Sequence, residues 1–371
     1  NMRLKLQFVK LNHPAGNLFI LIFLCSACLS GLAAGKSKSP RYGKTNIADM
    51  VLIYHGGVHR TMEWNKEQFV PYVIHQNQNG KKEWLFDGFL FTEFMDGKGH
   101  HFAHGAPDSK IACKPEWEWL MERQFEKNKG FSALDQCIGE QIQEIGKPPF
   151  RHKLVVVMPV PQKEQKDWGS LDRPMDFSND EDRIDACKWY ISRFLDNYQK
   201  EDYQNIDLEG FYWVSEKDSA FREIMVPVGD FIRSKGLRFF WIPYWTAYGF
   251  DNWRTDKFDF AYIQPNYFFK DEVNYERLDA VCAFAKGTRM GLELEFDGRA
   301  LADAKGGKRG RLISYLDAFE ENDVFKEASV AYYEGGGALY ELSRSENPLD
   351  KELMDRLAQI IVRRKKMKWS R

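Results

Sequence analysis

Short runs of apolar and β-branched residues recur along the chain and alternate with amphipathic stretches of helical period. Each run is long enough for one buried strand. The eight runs begin at Met50, Trp84, Lys153, Ile206, Leu237, Phe258, Met290 and Ser329. Eight strands alternating with helices over roughly 320 residues predict a (β/α)8 TIM barrel, an α/β fold made as a single domain with enlarged βα loops.

The longest predicted loops follow the second and third strands, on the face of such a barrel where active sites lie. The alternative is an open, doubly wound sheet, which carries a glycine-rich phosphate loop after its first strand. The string IYHGGVHR, which begins at Ile53, does not fit that loop. We therefore expect the barrel over residues 47–366. The basic run RRKKMKWSR, residues 363–371, is expected to be a solvated helix end, with a binding site as the alternative.

The first residues have the layout of an export signal, which is not part of the fold. Basic residues precede the apolar run LFILIFL, which begins at Leu18, and two small residues directly precede Cys28. This layout is typical of a bacterial lipoprotein, in which the cysteine is acylated. We expect a signal peptide over residues 1–27, a linker over 28–46, and an exported envelope protein anchored to the membrane through Cys28. A signal peptide cut elsewhere and a short uncleaved anchor are the alternatives.

The composition of the chain argues against a nucleic-acid-binding protein and against a thiolate zinc protein, and it suits a protein that binds sugars. Lys and Arg total 53 against 54 for Asp and Glu, so the net charge is -1 and nothing favours nucleic acid as a partner. The chain has 28 Phe, 16 Tyr and 11 Trp, an excess that suits stacking against sugar rings. The four cysteines after the signal lack CxxC spacing, which argues against a zinc site made of thiolates.

Several predicted strands end in glutamate. Glu93 ends the second strand and Glu216 the fourth, while the seventh carries Glu293 and Glu295. The two-residue period of a strand places Glu293, Glu295 and Asp297 on one face, which must look into the barrel because the alternate positions are apolar. Side chains at the carboxyl ends of barrel strands meet in one bowl. These carboxylates are therefore candidates for shared chemistry.

Hydrolysis of a glycosidic bond needs one carboxylic acid to protonate the leaving oxygen and one carboxylate to attack carbon or activate water. The placement of Glu216 and Glu295 resembles the largest clan of retaining barrel glycosidases, which implies Glu216 as acid/base and Glu295 as nucleophile. That clan usually has Asn where Ser215 stands here. The alternative is that these glutamates form ion pairs inside the bowl. Glu93 is a third candidate, either positioning substrate or pairing with a basic neighbour.

Other polar and aromatic residues near the predicted strand ends are candidates for binding the substrate. Flat apolar faces, amides and carboxylates together suit a polyol; the alternative for each aromatic residue is that it fills the top of the barrel. The candidates are Tyr54, His55, Trp213, Tyr244, Trp245, Gln264, Asn266, Tyr267, Glu293, Tyr333 and Glu334.

A group of histidines raises the question of a metal. His100, His101 and His104 lie close in sequence, and Asp96 or Asp108 would complete a ligand shell. A metal-dependent hydrolase is therefore an alternative, although we predict no metal and no cofactor. No HExxH, GxSxG or phosphate-loop string occurs.

The strings LIYHGG, DGFLF, VVMPVPQ, FYWVSE and AYIQPNYFF together resemble a bacterial family known as domain of unknown function 4855. The resemblance spans most of residues 48–345 and implies a barrel related to glycoside hydrolases, in exported proteins of polysaccharide-degrading bacteria. We predict a glycoside hydrolase with a carbohydrate substrate and a paired-carboxylate mechanism. The alternative is a surface lipoprotein that binds glycans without turnover.

Overall fold

The structure is a computed structural model that describes residues 45–57, 60–103, 110–217 and 221–369. Its centre is a closed barrel of eight parallel strands, in which β1 pairs with both β2 and β8 and every other strand pairs with its neighbours in sequence. The strands are β1 (Asp49–Tyr54), β2 (Gly88–Thr92), β3 (His152–Met158), β4 (Ile206–Trp213), β5 (Arg238–Trp241), β6 (Phe260–Ile263), β7 (Gly291–Glu295) and β8 (Val330–Tyr333).

Helices surround the barrel and bury the outward side chains of the strands. Because the strands are covered on both faces, their sequences are almost continuously apolar, as parallel strands usually are. The helices are α1 (Lys66–Val73), α2 (Lys114–Arg123), α3 (Gly130–Ile145), α4 (Asp180–Lys200), α5 (Arg222–Ser234), α6 (Glu276–Thr288), α7 (Arg309–Glu321), α8 (Val324–Glu327), α9 (Ala338–Arg344) and α10 (Pro348–Trp369), with a 3-10 turn at Gly298–Ala300.

The predicted (β/α)8 fold is confirmed, and each predicted run contains one barrel strand. The long connection after β2 contains α2 and a short parallel pair of strands, His100–His101 with Lys110–Ile111. A small antiparallel pair, Ile74–Gln76 with Lys82–Trp84, lies between α1 and β2. None of the described helices is long and apolar enough to cross a lipid bilayer.

Strand β4 contains a bulge. Leu154 of β3 pairs with Leu208, but the next residue of β3 pairs with Gly210, so Glu209 is one residue extra. A bulge of this kind shifts which side chains face each side of the strand. Beyond it, Trp213 points outward, where its ring packs edge-on against Phe221 with the centroids 5.4 Å apart.

A buried charge network closes the amino-terminal end of the barrel, and it corrects one prediction. The expectation that the run RRKKMKWSR is solvated is wrong for Arg364 and Lys365, which are each 4% exposed. Arg364 Nε lies 2.6 Å from Asp49, and Lys365 contacts both Asp49 and Asp87, the latter at 3.0 Å. Charged residues are rarely buried unless paired, and these pairs fasten α10 to the first two strands.

The four cysteines in the described part of the chain form no disulfide bond. Cys113, Cys137, Cys187 and Cys282 are free thiols, and the last three are buried. Burial raises the pKa of each of these three thiols to about 12. They therefore act as small apolar residues of the core.

Candidate active site

A cavity of about 210 Å³ opens at the carboxyl ends of the barrel strands. This is the end at which the first residues of the loops converge, so side chains from different strands share one space. The lining residues are Leu52, Tyr54, Phe94, Tyr212, Glu216, Gln264, Asn266, Phe269, Glu293, Glu295 and Tyr333.

One side of the cavity is aromatic; this aromatic side consists of Tyr54, Phe94, Phe269 and Tyr333. The Tyr54 ring meets Tyr333 edge-on at 5.5 Å between centroids and lies 5.9 Å from Phe94. The Phe269 ring meets the Tyr333 ring edge-on, with 5.6 Å between the centroids. Edge-to-face contacts fix the rings against one another. The result is a preformed apolar surface on β8, β1 and the loops beside them.

The acidic side comes from the ends of β4, β6 and β7, and it adjoins the aromatic side where Glu295 of β7 pairs with Tyr333 of β8. Gln264 donates through Nε2 to Glu216 at 2.8 Å and to the Ile242 carbonyl at 2.9 Å, so its amide is oriented toward the glutamate. The other oxygen of Glu216 has no donor among the described residues. This carboxyl group can therefore carry a proton on a free oxygen.

Glu295 is held differently, as an acceptor of two hydrogen bonds. The Asn266 N–H donates to it at 2.7 Å, and the Tyr315 hydroxyl of α7 donates to the same oxygen. Asn266 has a φ of +54°, a left-handed conformation that asparagine tolerates better than most residues. Two donors favour the charged form of a carboxyl group.

Glu293 lies two residues before Glu295 in β7 and has no hydrogen bond or ion pair with any described residue. Its side chain is buried, with a residue exposure of 2%, yet it faces the cavity. The hydroxyls of Tyr54, Tyr212 and Tyr333 also lack protein partners in the described part of the chain. All four groups line the cavity, so they can form hydrogen bonds with a polar ligand bound there.

The electrostatics of the three glutamates follow from burial and from each other. Burial raises the pKa of Glu216, and it raises the pKa of Glu295 to about 7 even though Tyr315 and Asn266 act in the opposite direction. Burial, with the charges of Glu295 and Glu216, raises the pKa of Glu293 well above its usual value. Because the groups interact, they titrate as one set. The set holds protons at neutral pH and can supply both an acid and a base.

Two other predicted glutamates are used by the protein itself. Glu93 pairs with Arg60 at 3.2 Å and accepts the Gly57 N–H at 2.9 Å, and Arg60 in turn lies 4.0 Å over the Tyr54 ring. Glu93 thus stabilises the back of the aromatic side. Glu334 accepts from the N–H groups of Gly337 and Leu339 at the start of α9, both at 2.9 Å. Neither residue lines the cavity.

The structure places five further predicted residues outside the cavity lining. His55 is buried, and burial lowers its pKa to about 3, so it is a neutral core residue. Trp213 faces the helices, and Trp245 packs against Phe250 and Phe284. Tyr267 stacks beneath Arg311 at 3.7 Å, and Tyr244 forms an isolated bridge with Gln264. These residues support the site from behind.

Sequence reasoning missed Leu52, Phe94, Tyr212, Phe269 and the supporting Tyr315. Tyr212 could have been found by counting back in twos from Glu216, because alternate residues share a face. Leu52 follows in the same way from Tyr54. Phe94 and Phe269 lie in loops, and Tyr315 lies on a helix. No two-residue period indicates those three.

One group of side chains away from the cavity could hold a metal ion. Asp96, His100 and Glu116 each offer one ligand atom, and these atoms lie within 4.8 Å of one another. His100 Nδ1 lies 2.8 Å from Asp96, and Glu116 accepts the Cys113 N–H at 2.8 Å. These bonds already explain the arrangement as a turn and a helix cap. His101, also predicted as a ligand, is not part of this group. The predicted ligands His104 and Asp108 and the predicted lipidation site Cys28 lie outside the described residues.

The fold and the cavity define a (β/α)8 barrel protein with a cluster of three glutamates at the carboxyl ends of β4 and β7. The chain belongs to the family described as "Domain of unknown function (DUF4855)", whose profile matches residues 49–359. The resemblance seen in the sequence strings is thereby confirmed. A search of curated proteins found no match.

Solved structures with a similar fold are distant in sequence. The catalytic domain of a family GH18 chitinase from the fern Peteris ryukyuensis is 9% identical, with 84% of this chain and 99% of that chain covered and a TM-score of 0.43. The xylanase and alpha-amylase inhibitor protein from Scadoxus multiflorus is 12% identical, with 83% and 97% covered and a TM-score of 0.40. A mutant tryptophan synthase alpha-subunit from Pyrococcus furiosus is 9% identical, with 87% and 98% covered and a TM-score of 0.39. Their functions differ from one another, so they indicate no chemistry for this chain.

Proposed function

We propose that this protein is a glycoside hydrolase in which Glu216 is the acid and Glu295 the nucleophile or base. The observation that carries the proposal is the contrast between a buried carboxyl group, Glu295, and a partly buried one, Glu216, that face one cavity. Glu295 accepts two hydrogen bonds, whereas Glu216 accepts one and keeps an oxygen without a donor. Neighbouring carboxyl groups in unlike surroundings are the arrangement that acid–base catalysis requires.

In the proposed reaction, Glu216 gives its proton to the glycosidic oxygen as the bond to the anomeric carbon breaks. Glu295 either attacks that carbon, in a retaining reaction, or removes a proton from the attacking water, in an inverting one. The ionised form of Glu295 is ready for either role because Tyr315 and Asn266 donate to it. In the retaining reaction, a water that Glu216 deprotonates then cleaves the ester between Glu295 and the sugar, which returns the proton to Glu216 and frees Glu295. In the inverting reaction, Glu295 releases the proton it took from water to solvent, and Glu216 takes one up from solvent.

The protein positions Glu216 through the turn that follows β4. Trp241 of β5 donates through Nε1 to the Ser215 carbonyl at 2.7 Å, and the Ser215 hydroxyl donates to the Lys217 carbonyl at 3.0 Å. Ser215 is fully buried and is occupied within the turn. Groups fixed before the substrate arrives lose little freedom during the reaction.

The remaining lining residues suit a sugar ring. The aromatic side can cover the apolar face of a pyranose, while the hydroxyls of Tyr54, Tyr212 and Tyr333 can bond its hydroxyl groups. We further propose export and a lipid anchor at Cys28, on the sequence features described above; they place the enzyme where extracellular glycans are met.

The test is hydrolysis of a panel of aryl glycosides and polysaccharides by the full chain, with Glu216→Gln and Glu295→Gln beside wild type. Loss of a catalytic carboxyl group is expected to lower kcat by at least about 100-fold. Glu209→Gln is the matched control, because Glu209 lies on the same strand at the far end of the barrel. Turnover that neither active-site variant changes would refute the assignment. Binding of glycans without any turnover would favour a glycan-capturing protein instead.

A further inference from the structure

The cavity carries acidic groups with no basic group among its lining residues. Two described arginines lie over lining rings, Arg60 over Tyr54 at 4.0 Å and Arg299 over Phe269 at 5.4 Å, and each is paired with an acid. Arg60 pairs with Glu93, and Arg299 pairs with Asp297 at 2.6 Å. Lys217 follows Glu216 in the chain, but its ammonium lies 5.9 Å over the Tyr244 ring and it is not part of the lining. A ligand in this cavity therefore meets carboxyl groups that can release a proton to pair with a positive charge, and no lining cation that would pair with a negative one.

Glu293 is the carboxyl group of the cavity lining to which no described residue donates a hydrogen bond. The catalytic proposal gives tasks to Glu216 and Glu295, and the protein gives each of them at least one hydrogen bond. Glu293 receives none from the described residues, although it is 2% exposed and faces the cavity. An unpaired buried carboxyl group is costly to the fold. Its presence is explained if the ligand supplies the partner.

The size of the cavity limits the ligand. A volume of about 210 Å³ is below the roughly 300 Å³ at which pockets for drug-sized molecules begin. It suits one monosaccharide unit with its ring against the aromatic side. The unit bound here is therefore a terminal one, with the rest of the glycan outside.

We propose, on the basis of the proposed glycosidase function, that the cavity receives a terminal sugar with a free amino group, a non-acetylated hexosaminide, whose ammonium pairs with Glu293. When such a sugar binds, Glu293 releases its proton to solvent and forms a charge-assisted hydrogen bond with the ammonium. Sugars with a carboxylate are repelled by the acidic side. An N-acetyl group removes the positive charge, so an acetylated sugar lacks the partner for Glu293.

The test compares matched nitrophenyl glycosides that differ at one carbon: 2-amino, 2-hydroxy and 2-acetamido sugars, in the gluco and galacto series and in both anomers. We expect wild type to show a kcat/KM for an amino sugar at least about tenfold above that for its hydroxy counterpart, as a bond to a charged group allows. In Glu293→Gln this ratio should collapse toward one, mainly through KM. The Glu209→Gln control should keep the ratio.

The outcomes separate this inference from the glycosidase proposal. A wild type that cleaves neutral sugars as well as amino sugars overturns the inference and leaves the glycosidase proposal intact. If no glycoside is cleaved, calorimetric titration with methyl glucosaminide and methyl glucoside decides. Binding of the amino sugar that Glu293→Gln abolishes supports the inference without turnover, whereas equal binding of both sugars, or none, overturns it. Thermal unfolding of each variant verifies that it is folded.

Discussion

Replacing Tyr315 with Phe removes one hydroxyl group and tests whether that hydroxyl sets the pKa of Glu295. Tyr315 is fully buried on α7, and its ring meets Tyr267 edge-on at 5.6 Å, so the phenyl ring can remain in place. The variant loses the hydrogen bond that the Tyr315 hydroxyl donates to Glu295. It also loses a weaker hydrogen bond, 3.4 Å long, in which the same hydroxyl accepts the Tyr267 N–H. Glu295 keeps the Asn266 N–H. Tyr315 is a positioning residue, because it acts on the reaction through Glu295.

The size of the effect follows from the hydrogen bond that is lost. A bond to a charged group contributes about 1.5–3 kcal/mol, and one pKa unit corresponds to about 1.4 kcal/mol. The pKa of Glu295, about 7 in the intact protein, should therefore rise by about one to two units. Since Glu295 acts as a carboxylate, the acidic limb of the kcat/KM profile moves to higher pH by the same amount. Activity at pH 6 falls about 10- to 100-fold, and the loss shrinks as pH rises.

The assay is the pH profile of kcat/KM on whichever aryl glycoside wild type cleaves. Tyr332→Phe is the matched control, because that buried tyrosine donates to a buried carboxylate, Asp49, at 2.7 Å at the other end of the barrel. It should reduce stability without moving the profile. An equal loss of activity at every pH in Tyr315→Phe, with an unmoved limb, would refute the role given to this hydroxyl.

Three further predictions concern stability, measured by chemical or thermal unfolding. Lys365→Met removes a buried partner of Asp49 and Asp87 and should lower the free energy of unfolding by about 3 kcal/mol. The control Lys366→Met removes an exposed pair with Glu83 and should lower it by less than about 1 kcal/mol. Equal losses in the two variants would contradict the stabilising role of the buried charge network. Gly210→Ala should destabilise by at least about 2 kcal/mol, because a Cβ there would lie 2.0 Å from the Arg238 carbonyl oxygen. Gly287→Ala in α6, where a Cβ meets nothing within 4 Å, should be neutral or stabilising. The pKa of Glu293 is raised in the folded state, so wild type should lose stability as pH rises above about 4.5, whereas Glu293→Gln should not. The melting temperature of Glu293→Gln should therefore exceed that of wild type by more at pH 8 than at pH 5. The same difference at both pH values would contradict this prediction.

The barrel could be predicted because each strand is a local apolar run, and the inward direction of Glu293 and Glu295 follows from alternation within one strand. The burial of Lys365 could not, because its partner Asp49 lies 316 positions away in sequence. A basic run at a chain end is usually hydrated. Only the closure of the barrel brings the first strand against the last helix and reverses that expectation.

The site was predicted in part, for a similar physical reason. Glu216, Gln264, Asn266 and Tyr333 end or follow strands, so the fold alone brings them together. The hydrogen bond from Tyr315 depends on how α7 packs, which no local pattern encodes. The absence of a described partner for Glu293 is likewise a property of the whole assembly of side chains.

The extra residue in β4 sets the orientation of everything that follows it in that strand. Because alternate residues face opposite sides, removing Glu209 would exchange the two faces from Gly210 onward. Trp213 would then be forced into the cavity and Tyr212 among the helices, and the carboxyl group of Glu216 would turn away from Glu295. The direction of the Glu216 side chain therefore depends on the number of residues near the opposite end of β4. A deletion at Glu209 should abolish activity, whereas a substitution of Glu209 should leave activity intact.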